Sequence, residues 1–167
     1  MKDELQFTPE LMKASDIEEV LDIETVSFAA PWTRDMYIRE ISNPISRVFV
    51  FRLGDEIVGY LCFWMVLDEA HVLTIAVHPG RRRLGYGTLI MSHLETVCRE
   101  YGLKRILLEV GRQNTRARSL YKKLGFKSIG FRKEYYAEEK DDALVMEKWL
   151  PVEDEPTRSL AAPEERL

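Results

Sequence analysis

Val77-His78-Pro79-Gly80-Arg81-Arg82-Arg83-Leu84-Gly85-Tyr86-Gly87 joins two stretches of different periodicity. Before it, His71 to Val77 is rich in branched residues and reads as a strand. After it, Ile90, Leu94, Val97 and Tyr101 recur at helical spacing, which predicts a helix from about Gly85 to Tyr101, closed by Gly102. The loop therefore delivers its glycines to a helix N-terminus, where unpaired N–H groups and the positive dipole end can hold a pyrophosphate. Gly85 and Gly87 let the backbone approach phosphates without a Cβ in the way. Three consecutive arginines add donors for further oxygens. A dinucleotide fingerprint is excluded, because Ile90 stands where its third glycine belongs, and no Gly-Lys-Ser/Thr follows for a triphosphate loop. Taken alone, the loop is also compatible with a Gly-containing turn bearing a solvated basic run.

Working outward towards the N-terminus, Leu5 to Leu11 reads as an edge strand. Ser15-Asp16-Ile17-Glu18 has the form of a capping box, opening a helix to about Ser27 through Ile17, Val20 and Leu21. Ala30-Pro31-Trp32 breaks it. Thr33 caps a short second helix carrying Met36, Ile38 and Ile41, ended by Asn43-Pro44. Arg47 to Leu53 and Glu56 to Val66 form a hairpin about Gly54-Asp55. Towards the C-terminus, Arg105 to Val110 is largely apolar and reads as a strand buried on both faces. Asn114 to Leu124 is a helix stopped by Gly125, and Lys127 to Tyr135 with Ala143 to Leu150 is a closing antiparallel pair. Helices and strands mixed in this order give an α/β fold around one sheet. Residues 1–150 form one domain. From Pro151 the chain turns acidic and proline-bearing, the composition of a flexible C-terminal tail over 151–167.

The chain has 167 residues, 46% hydrophobic and 31% charged, with a formal net charge of -4. That balance argues against a general nucleic-acid binder. No window approaches the roughly 20 apolar residues of a membrane span, and Met1–Lys13 carries no signal-peptide run. The expectation is a cytoplasmic protein with no nucleic-acid or membrane partner. Cys62 and Cys98 sit in apolar patterns as small core residues. His71, His78 and His93 lack metal-ligand spacing with each other or with the cysteines, so no metal is expected.

Leu108-Glu109-Val110 places a carboxylate inside an apolar strand, a costly position unless it is paired or functional. Burial would raise its pKa towards the range of a general base. A structural ion pair is the competing account. Tyr121, beside Leu120 and Leu124, is by itself a core or boundary residue, though its phenol could protonate a departing thiolate.

Arg82-Arg83-Leu84-Gly85-Tyr86-Gly87 resembles the Arg/Gln-x-x-Gly-x-Gly/Ala signature of the GNAT superfamily of N-acetyltransferases. Over residues 5–150 the chain further resembles that superfamily's ribosomal-protein alanine N-acetyltransferases, the RimI group. That likeness runs through Pro31-Trp32, Val66-Leu67-Asp68-Glu69-Ala70, Ile75-Ala76-Val77, the phosphate loop, Leu108-Glu109-Val110, Asn114, Leu120-Tyr121, Gly125-Phe126, Arg132, Tyr135-Tyr136 and Asp142-Ala143. The resemblance implies a mostly antiparallel central sheet with splayed strands and flanking helices. It implies acetyl-CoA as donor and a protein or peptide N-terminus as acceptor, a ribosomal protein among them. It implies that Ile75, Ala76 and Val77 bond the pantetheine through their backbone and that Arg82, Arg83, Leu84, Gly85, Tyr86, Gly87 and Thr88 hold the pyrophosphate. Asn114 and Tyr121 also touch the cofactor. By the same resemblance Glu109 is the general base, Tyr121 the general acid, and Trp32, Tyr135 and Tyr136 line the peptide side.

The chain departs from the group at Gly111, where arginine is usual, and at Arg82, where glutamine is frequent. Two alternatives stand beside this reading: an acetyltransferase of lysine or a small-molecule amine, and a non-catalytic acyl-CoA sensor.

Overall fold

The computed structural model describes residues 6–136 and 141–151. Among them the chain forms β1 (Phe7–Leu11), α1 (Ile17–Ser27), α2 (Arg34–Ser42), β2 (Ser46–Leu53), β3 (Glu56–Val66), β4 (Glu69–Val77), α3 (Tyr86–Glu100), β5 (Arg105–Gly111), α4 (Thr115–Lys123), β6 (Lys127–Tyr136) and β7 (Asp141–Trp149). The strands make one sheet in the order β1-β2-β3-β4-β5-β7-β6. Each neighbouring pair is antiparallel except β4–β5, which the crossover through α3 makes parallel. The expected tail beyond Pro151 lies outside the described residues.

Strand alternation feeds two cores, one on each face. On one face Phe51, Leu61, Phe63, Ile106, Leu108 and Val110 meet Ile90, Met91, Leu94 and Val97 of α3. On the other, Val48, Val50, Tyr60, Cys62 and Ala76 meet Ile17, Val20 and Ile23 of α1 and Tyr37 of α2. Cys62 and Cys98 are both fully buried free thiols, and burial pushes each up to about 12. They are core residues, as their apolar settings predict.

Three local expectations are corrected. Ser15 does not cap α1. A 3-10 turn over Ala14–Asp16 precedes the helix, so the Asp16 carboxylate accepts from the Lys13 N–H at 2.8 Å and pairs with Arg52 at 2.5 Å, while Glu18 turns out to Arg34. The buried face of α2 is Tyr37 with the partly buried Ile41, one turn apart; Met36 and Ile38 flank it and are exposed. β5 is not buried on both faces. Ile106, Leu108 and Val110 are buried, but Arg105, Leu107, Glu109 and Gly111 alternate onto a half-open face. Thr33 caps α2 as expected, accepting from the Met36 N–H at 3.3 Å.

Candidate active site

The site begins with a break in the sheet. β4 and β5 pair at Glu69↔Arg105, Ala70↔Ile106 and His71↔Leu107, and no further pairs join them. The next residues of β4 carry a bulge: Cys62 pairs with Thr74 and Phe63 with Val72, which leaves Leu73 as the extra residue. A bulge bends its strand and increases the local twist. β4 stays with β3 as far as Gly59↔Val77, and β5 stays with β7 as far as Gly111↔Ala143. The edges of Thr74–Val77 and Leu108–Gly111 that would have faced each other are therefore open, and a chain bearing amides can bond there.

That opening leads into the phosphate loop. Gly85 is the N-cap of α3 at φ +86°. A Cβ there would meet nothing within 4 Å, so the backbone angle rather than space demands glycine. A glycine cap has no side chain to offer, and no side chain caps this helix. The first intrahelical bond runs from the Leu89 N–H to the Gly85 carbonyl, which leaves the Tyr86, Gly87 and Thr88 N–H groups without intrahelical acceptors. At Gly87 the constraint is close approach: a Cβ would sit 3.1 Å from Leu120 Cδ2 of α4. Arg83 also adopts a left-handed backbone, φ +64°, costly for a residue with a Cβ.

The three arginines part company. Arg81 pairs with Glu56 at 2.6 Å. Arg82 donates from Nε to the Val77 carbonyl at 3.1 Å and from Nη2 to Ser27 Oγ at 3.0 Å. The Arg83 side chain makes no hydrogen bond or ion pair among the described residues, and Leu84 and Thr88 are exposed beside it.

Glu109 lies on the half-open face of β5, opposite Val145, with its side chain 25% exposed. Arg132 of β6 places Nε 3.2 Å from its carboxylate. The deep burial expected from the apolar neighbours is absent because those neighbours point to the other face. Tyr121, on α4, is 6% exposed with its ring edge-on to Phe126. Asn114 caps α4 through Oδ1, which accepts from the Ala117 N–H at 3.2 Å, so its two amide N–H donors remain on an exposed side chain. Gly111, at the end of β5, pairs with Ala143. Tyr135 and Tyr136 belong to β6, but their side chains lie outside the described residues.

Trp32 lies in the α1–α2 connection, its ring 5.1 Å from that of Tyr37. Beneath it is a cluster that sequence reasoning missed. Glu24 is 1% exposed; its Oε1 accepts from the Tyr37 hydroxyl at 2.6 Å and the Tyr60 hydroxyl at 3.0 Å, and its Oε2 from the Trp32 N–H at 3.3 Å. Burial, reinforced by the neighbouring phenol and carboxylate, holds Tyr37 well above its usual ionisation range; burial followed by Glu24 does the same to Tyr60. A signal existed: Glu24 falls two helical turns after Ile17, on the apolar stripe of α1. Tyr60 is the cross-strand partner of Ala76, so this cluster adjoins the open end of β4.

An open strand edge, an uncapped helix N-terminus and a half-exposed carboxylate together suit an extended ligand that ends in phosphates and reacts near Glu109. Residues 17–126 match the model of the acetyltransferase (GNAT) family. The chain is 35% identical, over 84% of its length and 93% of the relative's, to a putative [ribosomal protein bS18]-alanine N-acetyltransferase of Bacillus subtilis. It is 31% identical, over 83% and 96%, to the [ribosomal protein bS18]-alanine N-acetyltransferase of Haemophilus influenzae. Its fold superposes on the crystal structure of the ribosomal-protein-S18-alanine N-acetyltransferase from Escherichia coli with a TM-score of 0.80 and 26% identity, covering 89% of this chain and 98% of that one. With the seam and the loop in place, these likenesses make the chain a member of the acetyltransferase (GNAT) family, an N-acetyltransferase that takes its acetyl group from acetyl-CoA.

Proposed function

We propose that the acceptor is the α-amine of a protein N-terminus, an alanine of the ribosomal protein bS18 type, and that transfer is direct. The observation that carries direct transfer is Glu109, a partly exposed carboxylate on β5 just past the point where β4 and β5 part. The names of the relatives support the acceptor class. A ribosomal acceptor places the reaction in the cytoplasm; among the described residues no helix is long and apolar enough to cross a membrane. Residues 1–150 are the catalytic unit, with 151–167 as an appended tail.

Acetyl-CoA supplies an activated acetyl group as a thioester. In this reading the backbone of Ile75, Ala76 and Val77 receives the pantetheine on the open edge of β4. The N–H groups of Tyr86, Gly87 and Thr88 receive the pyrophosphate, with Arg82, Arg83, Leu84 and Gly85 shaping the turn. The Asn114 amide donors lie beside that path. Glu109 takes the proton from the incoming ammonium, directly or through water, and Arg132 orients its carboxylate. Tyr121 returns a proton to the leaving sulfur. Trp32, Tyr135 and Tyr136 line the acceptor side.

The test is release of free thiol from acetyl-CoA with a peptide bearing the N-terminal alanine sequence of bS18, beside an N-blocked control. Release with the free peptide alone supports the reading. Equal release with the blocked peptide, through its lysines, sinks it in favour of a lysine acetyltransferase.

A further inference from the structure

We propose that Glu24 is a positioning residue for the acceptor side, its buried carboxylate anchoring the α1–α2 connection and with it the Trp32 ring. The proposal rests on the reading of Trp32 as a lining residue.

Glu24 joins parts of the chain 8, 13 and 36 residues away: the connection, α2 and β3. Its two core partners, the buried Tyr37 and Tyr60 hydroxyls, need an acceptor, but one oxygen serves both and a neutral amide oxygen could do the same. The Trp32 N–H is different. Ala29–Trp32 makes one hydrogen bond among the described residues, the one to Glu24, and Ala29, Ala30 and Pro31 are exposed. Remove that acceptor and the stretch is held at its ends alone, by the Phe28 N–H on the Glu24 carbonyl and by the cap of α2. The Trp32 ring rests against Tyr37, and Tyr37 lies edge-on to Tyr60, so ring packing supplies the surface while the carboxylate fixes the Trp32 backbone upon it. Three residues on, Ser27 accepts from Arg82 of the phosphate loop. The last turn of α1 thus carries one bond to each half of the site.

Glu24→Gln separates anchoring from core packing. One amide oxygen can still accept from both phenols, but the amide NH2 then faces the Trp32 N–H, donor against donor. In Glu24→Gln we expect amide hydrogen exchange at Phe28, Trp32 and Thr33, the bonded amides of residues 28–33, to quicken about tenfold, with exchange in β4 and α3 unchanged. KM for the bS18-type peptide should rise about tenfold, while the acetyl-CoA dissociation constant by calorimetry stays within about twofold. Tyr37→Phe keeps the ring and the Trp32 contact and removes a core-side bond; it should lower Tm without raising the peptide KM. Unchanged exchange at residues 28–33 in Glu24→Gln overturns the proposal, and so does a Tyr37→Phe enzyme with the same rise in KM. If wild type turns over no peptide, the acceptor reading fails, and the exchange measurement still judges the anchor by itself.

Discussion

β4 and β5 run side by side, yet their two ends are built differently. At the beginning, three residue pairs join them, and Arg105 fastens the junction: it pairs with Glu69 at 2.7 Å and Glu147 at 2.9 Å and lies over the Trp149 ring at 4.9 Å. At the far end the ladder stops, a bulge at Leu73 bends β4, and the flanking residues are Ile75–Val77, Glu109 and the glycine-capped α3. The closed end spends its side chains on one another. The open end leaves strand edges and helix N–H groups for a ligand. The difference teaches that the parallel pairing is there to position a gap, and that substitutions on either side of it should separate stability from turnover.

The largest effect should come from the open end. Glu109→Gln should lower kcat by about 10²–10⁴-fold while acetyl-CoA binding, read by calorimetry, stays near wild type. A fully active variant would remove Glu109 as the base and with it the assignment of the two ends. Next is Gly85→Ala, which forces a Cβ into a left-handed backbone at a cost of about 1–2 kcal/mol. The dissociation constant for acetyl-CoA should rise about tenfold, and Gly85→Asn should be milder because asparagine tolerates that region. Equal effects of Ala and Asn would mean that space, not the backbone angle, governs the position.

Smaller effects belong to the closed regions. Arg105→Met should lower Tm by about 2–4 °C with kcat and both KM values kept, a result that circular dichroism and steady-state kinetics together can contradict. The smallest is a pH effect through His93 of α3. Its ring is packed edge-on against Phe49 and Phe51, its Nε2 is buried without a partner among the described residues, and desolvation lowers its pKa below the ordinary 6.5. Above 6.5 both folded and unfolded chains hold it neutral. Below that value the unfolded chain takes up a proton first, so stability falls as pH drops from 6.5 towards the lower folded pKa. Urea unfolding at pH 7.5 and 5.5 should show this loss, and His93→Leu should reduce it.

Much of this was legible beforehand, because hydrophobic period and turn chemistry act locally. The strand before Val77, the helix after Gly85, the stop at Gly102 and the cap at Thr33 depend on near neighbours, and the structure has them where the pattern puts them. Acetyl-CoA dependence and the family followed from the resemblance the loop carries and are shown by the likenesses to known proteins. What stayed hidden depends on partners distant along the chain. Asp16 is drawn into the turn before α1 instead of a Ser15 cap, because Arg52 and the Lys13 N–H converge on its carboxylate. The apolar run of β5 conceals an alternation, since Leu107 counts as apolar on a face that is half open. The local pattern also could not show that Arg81 is paired with Glu56, or that Arg82 reaches Ser27 and the Val77 carbonyl. Glu24 stood on the apolar stripe of its helix, but its three donors come from elements no local window spans.

The three-pair seam also has a kinetic side. β2, β3 and β4 form an antiparallel meander of two hairpins, with β1 added antiparallel to β2, whereas β5, β7 and β6 are a separate antiparallel set. Backbone pairing across the sheet therefore offers little resistance to parting these two blocks, and what holds them is mainly the shared core beneath α3 and α4. Sub-global opening along that line costs the shared core rather than a long backbone ladder. If acetyl-CoA bonds across β4 and β5 it favours the closed form, and saturating acetyl-CoA should then slow exchange in both strands together, as a zip closed from its open end.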